Sequence, residues 1–256
     1  MNTENNFELI IRKATMEDNL KDIAELIYST DDYIYPYWFE TIDKCREELS
    51  VLLVEENFFF NINNLYVAVD DLNNKIVGIV CILDKDIDFE YDYEKLRNYN
   101  ERYRFTIDNY VMGLIKEVKE SEFAYISNVC IHKDYRGKKI GNKLVSHVIE
   151  IYAQKCFDGI FLDVLADNPG AVKLYQNLGF EQFTEIFSGF NNPNEEKPDV
   201  FSMRIELKWW KRQKMWYNKK EGYSVSKKLN ILSVNKHSYP KMIGGEKNGK
   251  ILKKLE

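Results

Sequence analysis

The chain has 256 residues, 45% of them apolar, and 36 Lys/Arg against 41 Asp/Glu give it a net charge of −5. A length of this order supports one domain of roughly 200 residues with an appendage, and no apolar run approaches the roughly 18 residues of a membrane span. The start, MNTENNFEL, lacks a basic stretch followed by an apolar one, Cys45, Cys81, Cys130 and Cys156 form no CxxC pair, and no His/Cys cluster has zinc spacing; the expectation is a cytoplasmic protein with reduced thiols and no metal.

ELIIRKA (8–14) is a predicted strand, and Thr15, with Asp18 three residues on, is the predicted cap of a helix carrying Ile23, Leu26 and Ile27 on one face. STDDYIYPYWF (29–39) reads as a break in that helix, with Tyr33, Tyr35, Tyr37, Trp38 and Phe39 crowded together. A second helix sets Ile42, Cys45, Leu49, Leu52 and Leu53 on one side. LYVAVDD and KIVGIVCIL form a predicted hairpin about DLNNK. DKDIDFEYDYE (84–94) then carries six carboxylates in 11 positions, as a solvated loop or a steering surface for a basic acceptor would, before a helical region to about Lys119. FAYISNVCI (123–131) is the next strand, followed by a helix from Ile140 with Leu144, Val145, Val148 and Tyr152 inward. GIFLDVL (159–165) is a strand, Asn168-Pro169 opens a short helix that Gly179 closes, and EQFTEIF and FSMRIEL are two closing strands. The order β-α-α-β-β-insert-β-α-β-α-β-β describes one mixed α/β domain over residues 1–207.

The loop YRGKKIG joins a strand to a helix start, where backbone N–H groups lack intrahelical partners and the local charge is positive. Glycines there let a pyrophosphate approach the backbone, and Arg136, Lys138, Lys139 and Lys143 add charge. GxxxxGK[ST] is absent, because Gly137 and Gly141 are four apart and Asn142 follows; GxGxxG is absent too, with Asp163 a weak candidate for its acidic partner. A turn with a solvated basic face is the plain alternative for the loop taken alone. A second pattern, NPGAVKLYQNLGFEQ (168–182), places Asn168, Ala171, Leu174, Tyr175, Gly179 and Phe180 at fixed spacing on a short helix and the turn after it. Together the two stretches resemble the GNAT superfamily of acyl-CoA N-acyltransferases, which show [QR]-x-x-G-x-[GA] and, downstream, N-x-x-A-x-x-L-Y-x-x-x-G-F. Here the first is Arg136-Gly137-Lys138-Lys139-Ile140-Gly141, with Lys139 in place of an inner glycine. A negative φ at Lys139 leaves the loop unstrained, whereas a positive φ costs on the order of 1–2 kcal/mol.

The resemblance covers about residues 7–207. It implies a GNAT-like α/β fold, a mixed, mostly antiparallel central sheet flanked by helices, and transfer of an acetyl group from acetyl-CoA to a primary amine of a small molecule or peptide. It further implies that Val129, Cys130 and Ile131 hold the thioester and pantetheine, that Arg136, Gly137, Lys138, Lys139, Ile140, Gly141 and Asn142 hold the pyrophosphate, and that Asn168 contacts the pantetheine. Tyr175 is the implied general acid toward the departing thiolate; packing on a helix face is the plain alternative. For the general base, Ser127 and Asn128 are poor chemistry and His132 ends the strand, so Asp31, Asp32 and Glu40 are the candidates. With Tyr33 they are also the expected acceptor-binding residues.

The last segment, 208–256, holds 14 Lys/Arg against 3 Asp/Glu. KWWKRQKMWYNKK (208–220) interleaves tryptophans with basic residues, a pattern open to nucleic acid, to an anionic membrane surface or to docking on an acidic body; the rest has the composition of a disordered tail. Rival readings are therefore an acyl-CoA sensor without turnover and a nucleic-acid-associated protein acting through its tail. The oligomeric state is open.

Overall fold

The computed structural model describes residues 8–55, 58–87, 89, 101–188 and 199–207. Expectations for the tail 208–256 and for most of the acidic run 84–94 lie outside the described residues.

The first strand, β1 (Leu9–Lys13), leads into α1 (Leu20–Tyr28). Asn19, not Thr15, caps this helix, its side chain accepting from the Lys21 and Asp22 N–H groups. Asp18 is already engaged: it receives the Arg12 guanidinium at 2.6 and 2.8 Å and the Thr15 N–H at 2.8 Å, which closes the turn one residue earlier. The aromatic stretch does not break into a loop. It forms α2 (Ile34–Phe39), with Pro36 in the first turn, where a missing N–H costs nothing. Asp31 Oδ1 accepts from the Tyr33 and Ile34 N–H groups at 2.6 and 2.7 Å and so starts this helix. α3 (Ile42–Leu52) buries Cys45, Leu49 and Leu52 as its spacing predicts.

β2 (Leu65–Asp70) and β3 (Lys75–Leu83) pair antiparallel. The insert then supplies α4 (Glu101–Thr106), a π-helical turn at Ile107–Val111 and α5 (Met112–Lys119). β4 (Phe123–Ile131) pairs antiparallel with β3 and parallel with β5 (Gly159–Leu165), joined to it through α6 (Ile140–Gln154). After α7 (Pro169–Asn177) come β6 (Glu181–Gln182), β7 (Phe187–Ser188) and β8 (Asp199–Glu206). EQFTEIF is therefore not one strand but two short pairings on β8.

The eight strands form one sheet in the order β1-β2-β3-β4-β5-β8-β6, with β7 also on β8. Its one parallel pair is β4–β5; the other pairings are antiparallel. Side chains alternate between two apolar layers. One packs α1, α2, α3 and α5 on the sheet, the other α6 and α7. Gly159 fixes the start of the parallel pair: a Cβ there would lie 2.2 Å from Phe123 and 2.5 Å from the Ile205 carbonyl. Among the described residues no helix is long and apolar enough to cross a membrane.

Candidate active site

β4 and β5 run together only from Phe123↔Gly159 to Ile126↔Leu162 and then part. A bulge opens β4 at this point, where Cys81 pairs Asn128 and Ile82 pairs Ile126, so Ser127 has no partner in the ladder. Beyond it, among the described residues, β4 pairs only with β3. The His132 N–H reaches the Val77 carbonyl at 2.9 Å. Strand alternation therefore turns the N–H and C=O of Ile131 and Val129 away from β3 and into the gap. Arg136 Nε, donating to the Ile131 carbonyl at 3.2 Å, occupies that side. Cys130, the third predicted residue here, points its backbone to β3. Its thiol packs 3.9 Å from the Ser29 carbonyl, and burial pushes it up to about 11.

The loop after β4 is exposed from Arg136 to Lys139, while Ile140 and Gly141 are buried at the start of α6. Gly137 has φ +79° with open space where a side chain would be, and Lys139 has φ +60°. The strained alternative for Lys139 is thus the one adopted. No side chain caps α6, so the first-turn amides of Ile140, Gly141 and Asn142 face outward beside Arg136, Lys138 and Lys139. Such a cradle fits a pyrophosphate. Lys138 lies over the Tyr135 ring at 4.6 Å. Gly141 serves packing as well: a Cβ there would sit 2.7 Å from Leu174 Cδ1, so the glycine lets α7 approach α6.

Asn168 starts α7, its Oδ1 accepting from the Ala171 N–H at 3.0 Å; that leaves the amide nitrogen for any ligand. Tyr175 is buried in the α6/α7 layer against Phe180, 5.7 Å between ring centroids. Desolvation holds its phenol above the ordinary tyrosine range, so it is a proton-bearing group at neutral pH.

On the opposite face of the gap lies a carboxylate that the sequence reading set aside. Asp163 follows Leu162, the last residue of β5 that pairs with β4, and itself pairs with Ser202 of β8. Its Oδ1 accepts from Ser202 Oγ at 2.6 Å and its Oδ2 from Tyr125 Oη at 3.3 Å. Burial raises its pKa against the lowering effect of these two bonds. A carboxylate with that shift is a better proton acceptor near neutrality. The signal was present in GIFLDVL, where an acid interrupts an apolar strand, but it was weighed only as part of a dinucleotide motif.

The earlier base candidates are placed differently. Asp31 is half-buried near Tyr35, and burial raises its pKa. Asp32 is exposed and Tyr33 half-buried. Glu40 is exposed and held by Lys44 and Arg102. His132 takes the Asp134 N–H on Nδ1 and lies 3.2 Å from Lys75 Nζ on Nε2.

A family model described as acetyltransferase (GNAT) family matches residues 27–180. N-alpha-acetyltransferase 30 of Dictyostelium discoideum is 31% identical over 81 residues, 30% of this chain and 44% of that protein. The [ribosomal protein bS18]-alanine N-acetyltransferase of Escherichia coli is 31% identical over 84 residues, 33% of this chain and 56% of that protein. The chain thus spans about half the length of these curated relatives. Among solved structures, an acetyltransferase superposes with a TM-score of 0.51 at 20% identity, covering 77% of this chain and 99% of that one. A spermidine N-acetyltransferase chimera involving Vibrio cholerae gives 0.50 at 18% identity, covering 79% and 97%. Likeness at these identities shows a shared fold.

Proposed function

The chain belongs to the acetyltransferase (GNAT) family, and from that membership we propose that it transfers an acetyl group from acetyl-CoA to a primary amine in one direct step. The observation that carries the reading is the gap between β4 and β5, beside which Asp163, its pKa raised by burial, follows the last residue of β5 that pairs with β4. Acetyl-CoA, when bound, supplies an acyl group activated by its thioester. The chain's own groups do the rest. The first-turn amides of Ile140, Gly141 and Asn142, with Arg136, Gly137, Lys138 and Lys139, hold the pyrophosphate. The Ile131 N–H and the Asn168 amide nitrogen hold the pantetheine arm. The Val129 N–H polarises the thioester carbonyl and favours the charge that develops on its oxygen.

Asp163 takes a proton from the amine, whose lone pair forms the new N–C bond. As the C–S bond breaks, Tyr175 gives its proton to the sulfur. Charge and atoms balance, and the tyrosine and carboxylate return to their starting states through solvent. A carboxylate with a raised pKa and a phenol with a raised pKa suit this pairing, because each is in the required protonation state over a common range of pH.

The test is thiol release from acetyl-CoA by the full chain across a panel of primary amines, with product mass recorded. Thiol release coupled to acetylated amine is the expected result. Acetyl-CoA binding with no thiol release for any amine would replace the reading with that of a sensor.

A further inference from the structure

The loop between β4 and α6 has a costly shape. Gly137 and Lys139 both lie at positive φ, +79° and +60°, and no side chain caps the helix behind them. Backbone of this kind persists only where neighbouring groups hold it in place. Such groups meet at Tyr135, at the start of the loop.

Tyr135 ends a short 3₁₀ turn (Lys133–Tyr135) directly before Arg136 and is half-buried. Its Oη donates to Asp70 Oδ2 at 2.7 Å, a bond between residues 65 apart. Asp70 is the last residue of β2 and is covered by its neighbours, 1% exposed. Asn73 Nδ2, in the turn of the β2–β3 hairpin, donates to the same oxygen at 2.8 Å. The Asn73 amide and the Tyr135 hydroxyl hold the Asp70 carboxyl below its usual range, so it is charged at neutral pH. The bond from Tyr135 is therefore charge-assisted. The same turn meets the hairpin again through His132, whose N–H reaches the Val77 carbonyl at 2.9 Å and whose Nε2 lies 3.2 Å from Lys75 Nζ.

The Tyr135 ring carries the contact onward into the loop. Lys138 Nζ lies 4.6 Å from its centroid and Lys75 Nζ 5.8 Å. An ammonium attracted to a ring face takes its place from the ring, and here Asp70 fixes the ring. A hairpin turn thus governs where a loop cation stands.

We propose that Tyr135 is a positioning residue for acetyl-CoA: Asp70 pins its hydroxyl, and the pinned residue holds Arg136–Lys139 and the Lys138 ammonium in the shape that receives the pyrophosphate. This rests on the pyrophosphate reading of the same loop. The loop is ordered before the ligand arrives, so binding does not carry the cost of ordering it.

The experiment measures, by titration calorimetry on the full chain, the Kd of CoA and of pantetheine, which lacks the pyrophosphate. Thiol release from acetyl-CoA is recorded on the same preparations. Tyr135→Phe keeps the ring and the Lys138 contact but loses the bond to Asp70. It should weaken CoA by about 5- to 20-fold and change pantetheine by less than about twofold. Asp70→Ala should act in the same sense. Asp70→Asn should stay within about threefold of the parent, because its amide oxygen still accepts from Tyr135. Asp70 Oδ1 has no hydrogen-bond partner among the described residues, so the amide nitrogen can take its place. An unchanged CoA Kd in Tyr135→Phe, equal weakening of CoA and pantetheine, or Asp70→Asn as weak as Asp70→Ala would overturn the proposal and leave the transferase reading in place. The expected pattern of Kd values without thiol release by any preparation would support the proposal and remove the transferase reading.

Discussion

Lys139 holds φ +60° with an exposed side chain, a conformation that glycine adopts freely and lysine does not. Lys139→Gly should therefore stabilise the chain by up to about 1 kcal/mol, read by urea denaturation, because relief of left-handed strain outweighs the added freedom of the unfolded glycine. Asp163 makes the opposite kind of statement. Its folded pKa lies above the ordinary 3.8, so between the two values the folded chain binds more protons than the unfolded one. Its contribution is favourable below that window and declines as pH rises through the folded pKa. Asp163→Asn should accordingly be at least as stable as the parent at neutral pH, flattening this part of the stability profile, while kcat falls by about 10²- to 10⁴-fold. With Asp163 as the proposed base, a carboxylate that destabilises its own fold is the expected trade between activity and stability.

The insert matters at the scale of elements. Trp38 Nε1 on α2 donates to Thr106 Oγ1 at the end of α4, a buried bond at 2.9 Å that joins segments 68 residues apart. It sits immediately before the π turn that carries Tyr110. π turns recur where a helix must present a side chain off its regular face. Thr106→Val takes this acceptor from the buried indole N–H and should cost about 1–3 kcal/mol. Hydrogen exchange of residues 101–119 and urea denaturation check the loss.

Seen as a whole, the molecule shows which parts of a fold a linear pattern encodes. Strands β2 to β5 and helices α3, α6 and α7 were legible because each has a single apolar period and local caps, such as Asn168 and Gly179 around α7. The start of α1 was not, because Thr15, Asp18 and Asn19 are all plausible caps and a contact from Arg12 chooses among them. α1 does end before Asp31, as read, but the short helix α2 was missed, because Asp31 and Pro36 look like turn residues until they fall at the start of a helix. The glycine turn between β4 and the uncapped start of α6 was readable from short-range spacing. The surroundings of Asp163 and Asn128 were not, since Tyr125, Ser202, Thr30 and Tyr35 reach them only once distant strands and helices are folded together. Contacts of that range leave no periodic trace in the chain.

The parted strands are the centre of the account, and Tyr175→Phe probes them most directly. Tyr175 is buried, and its ring, which packs on Phe180, is kept by the substitution. Acetyl-CoA affinity and thiol release should be measured on one preparation of the variant. The account predicts an unchanged Kd and a fall in kcat of about 10²- to 10⁴-fold. Turnover at the parental rate, or a Kd weakened in proportion to the rate, would contradict it.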